Sequence, residues 1–414
     1  MFIIKLALRN LFRHKKRTII TAIVISLAIF IYLLSDSLML GIEELSYANI
    51  INLESGHLQV VNPDYWEERQ EAPLENLIPL SEDLKKKIRE IEGFNAMAGQ
   101  LRFSASLNNG IDEIPIMGLG INPEETERVL TIDEYFVEGS MLTPGKYEAV
   151  LGKSLADLMD LKVGDYLTLI VRTKENTFNT IDAVITGLLK TPHPDINDNT
   201  VFVPLDIARQ ALNLEEEVSQ IVIRLNRDKE EAREIAAELS RDLTEGGFNL
   251  KAYPWQESAE TLTAMMQMQD IENFVILGII LVIAAVGIIN TTILSAIERM
   301  EEIGMMKALG LKEGEIIRVF MIEATGIGII GGLIGCFFGG IGVTILNQIG
   351  LSMNTFGGQD TTYGLPILER IYGGWNPGAF IFVFVFGVVV ALLSSILPAR
   401  WAARKDPVKA IYHR

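Results

Sequence analysis

Residues 296–315, AIERMEEIGMMKALGLKEGE, form a short charged stretch between two long apolar ones. The run before it, 273–297, is uncharged, and the run after it, 319–347, has one acidic residue, Glu323. Each run is long enough to cross a bilayer, which takes about 20 apolar residues. The quoted stretch therefore predicts a membrane protein whose chain turns back through a charged segment just outside the lipid.

Two further runs of this length, 18–40 and 377–399, bring the predicted number of spans to four. The first run is too long for a signal peptide and no clear cleavage site follows it, so we expect a retained anchor. Lys and Arg outnumber acids in the segments at the two ends of the chain, 1–17 and 400–414, which predicts that both termini are cytoplasmic.

Four spans with this orientation place segment 296–318 in the cytoplasm and segments 41–272 and 348–376 outside the membrane. The larger outer segment holds 43 Asp and Glu against 20 Lys and Arg. Of the 414 residues 49% are apolar and the mean hydropathy is +0.28, values that fit a mixed membrane and soluble architecture. The acidic excess indicates a well-solvated surface, and recruitment of a basic partner is the alternative interpretation.

The outer segment shows a repeated strand–helix–strand order. GHLQVV, SEDLKKKIREIEG and AMAGQLRFSASL give one unit within residues 50–107. SQIVIRL, DKEEAREIAAELSRDL and FNLKAY give a second within 215–255. Strand-like runs separated by Gly, Pro, Asn and Asp fill 108–214. We therefore predict a split ferredoxin-like α+β domain with a mainly β insertion.

Several chemistries are excluded by residue type and spacing. The single cysteine, Cys336, cannot form an intrachain disulfide, and the four histidines show no metal-binding spacing. Nucleic-acid binding is not expected, because the sequence has no large basic patch outside the segments that flank the membrane. Gly152-Lys153-Ser154 resembles the end of a phosphate-binding loop, but Tyr147 stands where that loop needs a glycine. We therefore expect no bound cofactor and no catalytic site.

A helix over 296–310 is predicted for the quoted stretch. Ile297, Met300, Ile303 and Gly304 would share one side, with the acidic residues elsewhere. Gly310 would end the helix, and Lys307 would lie near its negative end. The segment could be only a solvated loop with ordinary charge pairs. Because a simple loop needs few polar residues, we favour a rigid charged face for docking a soluble protein.

The third span combines a glycine ridge with an acid. Small residues at four-residue spacing let helices approach closely in lipid. The ridge indicates either packing within the chain or an interface that forms a dimer or moves. Acids inside spans are costly, and we expect structural pairing for Glu323 in preference to ion conduction. The predicted packing residues are Glu323, Gly328, Gly331, Gly332, Gly335 and Gly339.

RMEEIGMMKALG, residues 299–310, resembles the cytoplasmic signature of FtsX-like ABC transporter permeases, the MacB and LolC/LolE superfamily. ALRNLFRHKKRTIITAI at 7–23, IEATGIGIIGGLIG at 322–335 and PARWAARKDPVKAI at 398–411 resemble segments flanking its spans. AVLGKSLADLMDLKVGDYLTL at 149–169 resembles its external core. The resemblance extends over essentially the whole chain.

The resemblance implies four spans and an external domain with a Porter part, here 50–107 and 215–255, and a Sabre part, here 108–214. It implies a bacterial inner-membrane protein that pairs with a second permease subunit, identical or not. A separate ATPase of the LolD or MacB type would hold ATP and Mg. The implied ATPase-coupling residues are Glu298, Arg299, Glu301, Glu302, Ile303, Gly304, Lys307, Leu309 and Gly310.

The substrate remains open among three readings. The layout favours ATP-driven release of lipoproteins from the outer leaflet, with a periplasmic carrier. The alternatives are export of a peptide, drug or other amphiphile with a periplasmic adaptor, and mechanotransmission to an envelope hydrolase. Met265, Met266 and Met268 precede the second span and suit acyl chains, because methionine adapts to varied apolar shapes. Ordinary packing of a helix at the lipid surface is the other reading of these methionines.

Overall fold

The computed structural model describes residues 7, 9, 11, 13, 15–352 and 370–404, without the side chains of 17, 261, 262, 265–267, 269, 270 and 352. The described chain forms two compact units. Residues up to 43, 265–352 and 370–404 make the membrane unit, and residues 44–264 make the outer unit.

The outer unit begins within the long helix α1, Lys15–Ile50, which a π-helix, Ile51–Ser55, follows. Its remaining elements are listed in chain order: β1 Leu58–Val61, α2 Pro63–Glu67, β2 Ile78–Pro79, α3 Glu82–Arg89, β3 Phe94–Asn108, β4 Glu113–Ile121, α4 Pro123–Val129, a 3-10 turn Ile132–Tyr135, β5 Phe136–Gly139, β6 Glu148–Gly152, α5 Lys153–Leu158, β7 Tyr166–Arg172, β8 Phe178–Leu189, α6 Pro194–Asn199, β9 Thr200–Pro204, α7 Leu205–Leu212, β10 Glu217–Val218, β11 Gln220–Leu225, α8 Ala232–Glu245, β12 Lys251–Pro254 and α9 Trp255–Ser258.

The two strand–helix–strand units interleave as a ferredoxin-like sheet. Its strands lie in the order β12-β1-β11-β3 and all neighbours are antiparallel. The amphipathic helices α3 and α8 bury Leu84, Ile88, Leu239 and Leu243, the positions that their sequence periodicity selects. Ser81 caps α3 by accepting a hydrogen bond from the Leu84 N–H at 3.3 Å. The predicted α+β fold class is thereby confirmed.

The insertion continues the same sheet. Strand β3 is 15 residues long. Its first half pairs with β11, and its second half pairs with β7. Strand β4 pairs with β3 along Gln100–Asn108 and leads through β9 and β6 to β8 and β5. The boundary predicted at 107/108 therefore lies at the end of a strand that serves both parts, and the sheet has no break there.

The membrane unit contains α1 and three further long helices, α10 Glu260–Glu298, α12 Glu313–Ile349 and α13 Pro377–Ala403. A short helix, α11 Met300–Ala308, and a two-stranded pair, β13 Leu351–Ser352 and β14 Arg370–Ile371, complete it. Four helices among the described residues are long and apolar enough to cross a membrane. They pack around a shared apolar core that includes Ile25, Ile29, Leu281, Ile327 and Val383. Apolar side chains also cover their outer faces, as expected for helices surrounded by lipid.

The helices show two breaks on either side of the second span. The first lies between α9, which ends at Ser258, and α10, which begins at Glu260. The helix predicted over 296–310 is also divided. Its first three residues belong to α10, and Arg299 separates them from α11. Arg299, whose backbone lies outside helical geometry, marks this second break.

Candidate functional site

The charged stretch bends at one residue. Arg299 has φ −110° and ψ 20°, outside the helical range, although its N–H still donates to Ser295 O at 3.2 Å. Its carbonyl oxygen accepts from the Ile303 N–H at 3.0 Å and so begins the next helix. The break turns the Arg299 side chain inward, where only 5% of it is exposed.

A buried ion pair joins this bend to the third span. Arg299 Nη1 lies 2.9 Å from Glu323 Oε1 and 3.2 Å from Oε2, and the Glu323 side chain is also 5% exposed. Burying either charge alone would be very unfavourable, so each requires the other. The pair therefore fixes the start of α11 to α12.

Two more charges extend the pair toward the surface. Arg299 Nε donates to Glu302 Oε2 at 3.1 Å. Arg13 Nη1, from the segment before α1, donates to Glu302 Oε1 at 2.9 Å. The order Arg13, Glu302, Arg299, Glu323 alternates in sign from an exposed end to a buried end. This ion-pair chain connects three separate parts of the membrane unit.

An apolar cluster surrounds the inner side of α11. Ile303 packs with Ile316 and Phe320 of α12 and with small residues of α13, namely Ala399, Ala402 and Ala403. The alanines allow close approach of helices, and Gly304 is buried beside them. Packing and the ion pair thus hold α11 on the ends of the spans.

The opposite side of α11 is exposed at Glu301 and Met305. The positions flanking the helix are exposed too, namely Glu298 at the end of α10 and Leu309, which is 83% exposed. Gly310 has φ +93°, a conformation that glycine adopts without strain, and the Leu311 N–H donates to Met306 O at 3.1 Å. These residues form an outward face that combines acidic and apolar groups at a sharply ended helix. We call Glu298, Glu301, Met305 and Leu309 the outward face.

The nine predicted coupling residues therefore divide into two sets. Glu298, Glu301, Leu309 and Gly310 are exposed. Arg299, Ile303 and Gly304 are buried against the spans, and Glu302 and Lys307 are half-buried in ion pairs with Arg299 and Glu313. The buried set is available for holding α11 in place and not for direct contact with another protein. Ile297, predicted to share the inner side, is exposed because the break at Arg299 rotates it away.

The glycine ridge of α12 packs within the chain. A Cβ at Gly331, Gly335 or Gly339 would lie 2.5–3.0 Å from atoms of α1. A Cβ at Gly328 or Gly332 would similarly approach Ala391 or Phe384 of α13. These distances are shorter than real Cβ contacts. The backbones of α1 and α13 therefore approach α12 more closely than any residue larger than glycine at these positions would permit. Of the two readings of the ridge, the described contacts correspond to intrachain packing.

The three methionines are described only in part. Met268 lies on α10 and is 72% exposed. The side chains of Met265 and Met266 lie outside the described residues. The structure therefore places one of the three, Met268, on an accessible surface of α10.

Sequence reasoning missed Arg299 as a buried partner and Arg13 as an extension of the ion-pair chain. One signal was available for Arg299. An acid inside a span needs a partner, and Arg299 is the basic residue directly after the preceding span. Pairing between positions 24 residues apart depends on the packing of two helices, which local periodicity does not report.

Comparisons with known proteins agree with this architecture. The family described as FtsX-like permease C-terminal matches residues 274–407, and the MacB-like periplasmic core domain matches residues 18–241. The second match alone covers more than half of the chain.

Three relatives show weak identity. An uncharacterised ABC transporter permease of Methanocaldococcus jannaschii is 24% identical, over 64% of this chain and 62% of its own length. The lipoprotein-releasing system transmembrane protein LolC of Xylella fastidiosa is 25% identical, over 74% of this chain and 75% of its own. The macrolide export ATP-binding/permease protein MacB 2 of Aeromonas hydrophila is 24% identical, over 98% of this chain and 60% of its own. The chain thus matches less than two thirds of the length of two of these relatives, the Methanocaldococcus jannaschii permease and MacB 2.

Among solved structures, the periplasmic region of MacB from Actinobacillus actinomycetemcomitans matches 52% of this chain and 96% of its own. Its sequence identity is 12% and the TM-score is 0.37.

Proposed function

The chain belongs to the MacB/LolC family of ABC transporter permeases, and we propose that it couples ATP hydrolysis by a separate subunit to release of lipoproteins from the outer leaflet. In this proposal the ATPase binds the outward face of α11 and holds the ATP and Mg. The permease chain itself performs no catalysis.

The buried pair Arg299–Glu323 is the observation that carries the coupling part of the proposal. Because α11 is fixed to α12 through this pair and the apolar cluster, a displacement of α11 moves the third span with it. A loop held only by exposed charges would move without displacing the third span, since an exposed ion pair contributes about 1 kcal/mol or less to stability. The arrangement thus supports transmission of force into the membrane.

The outward face has the composition of a docking surface. Leu309 and Met305 supply apolar area, and Glu298 and Glu301 supply charge that would select a basic groove. The positive φ of Gly310 takes the chain off the helical path just after α11, so the docking face is short. We assign this face to the ATPase subunit.

The proposed assembly is a pair of permease subunits in one membrane. Two permease subunits, identical or related, would pair through the outer apolar faces of their spans in the inner membrane, with both termini cytoplasmic. The outer unit would then lie in the periplasm, where a carrier or adaptor protein could receive the substrate.

Lipoprotein is the favoured substrate because the outer face of α10 offers a long apolar surface. Phe274, Ile279 and Val282 are exposed there, and Met268 is exposed on the other side of Glu272. Such a surface suits acyl chains that remain in contact with lipid. The similarity to a LolC protein over 74% of this chain supports the same class.

Export of an amphiphile is the second candidate, supported by the match to MacB 2 over 98% of this chain. Both candidates require the ATPase and the spans, and they differ in what contacts α10. A test must therefore capture the molecule bound there.

A photo-crosslinker at Met268 tests the substrate. The chain would be purified in mild detergent with its ATPase after irradiation of cells, and captured molecules identified by mass spectrometry. We expect lipoprotein at Met268, less of it when ATP is hydrolysed, and none at Leu397, an equally exposed apolar site on α13. Capture of soluble peptides or drugs alone would favour export, and equal capture at both sites would overturn the assignment of α10.

A further inference from the structure

A small cavity of about 60 Å³ lies inside the outer unit, between the ferredoxin-like part and the insertion. One wall comes from Leu53 and Glu54 of the π-helix together with β3 and β11. The other wall comes from β4, α6 and β9. A single water needs roughly 10–15 Å³ of such space, so the cavity has room for about four waters or one small ion of similar size.

Three buried side-chain nitrogens on residues that line the cavity have no hydrogen-bond partner among the described residues. They are Gln100 Nε2, Arg102 Nε and His193 Nδ1. The first two are donors, and His193 Nδ1 is a donor when the ring is protonated, because Nε2 already faces Glu54. Gln100 is 1% exposed, and its other amide atom, Oε1, already accepts from Gln220 Nε2 at 2.7 Å. A buried donor without an acceptor is costly. Three of them around one space indicate a ligand that supplies acceptors.

The acid nearest the cavity is already paired. Glu54 Oε2 lies 3.0 Å from His193 Nε2, and Glu54 Oε1 lies 3.8 Å from Arg102 Nη1. Asp195 also lines the cavity, although its side chain is exposed. Burial alone would lower the pKa of His193, but the hydrogen bond and charge of Glu54, together with the charge of Asp195, raise it above its usual value. With the ring protonated, Arg102 and His193 supply two positive charges beside the buried Glu54 and the exposed Asp195.

We propose that this cavity binds one small oxyanion, of the carboxylate or inorganic phosphate class, through Gln100 Nε2, Arg102 Nε and His193 Nδ1. The donors come from both walls, since Gln100 and Arg102 lie on β3 and His193 precedes α6. The bound anion ties the insertion to the ferredoxin-like part. The site is independent of the ATPase and of the substrate assigned above.

Equilibrium dialysis of the full-length chain in nanodiscs tests the site. The probes are radiolabelled acetate and phosphate, each at pH 6 and constant ionic strength. We expect at least one probe to bind saturably, at one equivalent per chain. If only acetate or only phosphate binds, that probe identifies the class of oxyanion that the site accepts. Gln100→Leu and Arg102→Lys should each weaken that binding by about tenfold or more, because each removes a buried donor to an anion.

Arg128→Lys is the matched control, since Arg128 is exposed on α4 and its charge is retained. Thermal unfolding checks that each variant is folded, and Arg102→Lys carries the test if Gln100→Leu does not fold. No saturable binding of either probe would mean that waters fill the cavity, and the proposal would be rejected. Binding that the cavity variants leave unchanged would place the anion elsewhere and reject it equally.

Discussion

Arg299 shows how one residue can set both a local conformation and a long-range contact. Its inward side chain requires the chain to leave helical geometry, and its guanidinium then meets Glu323 and Glu302 at hydrogen-bond distances. The sequence indicated that Glu323 needed a partner, but not which one. Residues 296–310 contain no Pro, and their one internal glycine, Gly304, lies five residues after the bend, so helical periodicity predicts no break at Arg299. The break arises from tertiary pairing, which overrides local preference.

Removing one member of the buried pair should destabilise the chain more than removing both. Arg299→Met alone leaves Glu323 buried without its guanidinium partner, at a cost of roughly 3–5 kcal/mol. Glu323→Leu alone leaves Arg299 with the half-buried Glu302 as its partner and should cost less. The double variant replaces the pair by apolar groups and should recover most of that loss. Thermal unfolding in detergent measures the cycle, with Glu272→Leu, at an exposed acid of α10, as control. Additive losses in the double variant would contradict a coupled pair.

The His193–Glu54 pair should make stability depend on pH. The pKa of His193 is raised in the folded protein, so its contribution is fully present below about 6.5 and is lost as pH rises through the folded value. The destabilisation caused by His193→Gln should therefore be larger at pH 6 than at pH 9. Thermal unfolding of the full-length chain at both values measures it, and an equal loss at both would contradict the assigned charge.

At the scale of elements, the spacing of apolar and small residues predicted more than the charges did. Alternation located the strands of the outer unit, and the four-residue glycine spacing located a close helix contact. The partner of the ridge could not be predicted, because spacing on one helix does not identify the helix that faces it. The structure places α1 against Gly331, Gly335 and Gly339, and α13 against Gly328 and Gly332.

Two alanine substitutions in α12 separate close contact from helix propensity. Gly335→Ala puts a Cβ 2.8 Å from Ile29 Cβ and 2.9 Å from the Ser26 carbonyl oxygen, so α1 must move and thermal stability should fall. The larger side chain of Gly335→Leu should lower thermal stability further and disrupt assembly. Gly340→Ala meets only Phe380, at 3.8 Å, and should be neutral or stabilising by about 0.5–1 kcal/mol. Equal behaviour of the two alanine variants would show that the ridge is not a tight contact.

At the scale of the whole molecule, composition and run length predicted the division into a membrane part and an outer α+β part. They could not predict that the insertion shares one sheet with the ferredoxin-like part, because that depends on the non-local pairing of β4 with β9 and of β3 with β7. The proposed function requires the ATPase to bind one side of α11 while the other side holds the spans. Docking and transmission should therefore be separable by mutation.

Substrate-stimulated ATP hydrolysis by the purified permease–ATPase complex tests this separation most directly. Leu309→Asp alters the outward face and should abolish co-purification of the ATPase. Glu323→Gln leaves that face intact, so the ATPase should co-purify in wild-type amount while the stimulated rate falls to the basal rate. A Glu323→Gln complex with full stimulation, or a Leu309→Asp chain that still binds the ATPase, would contradict the account.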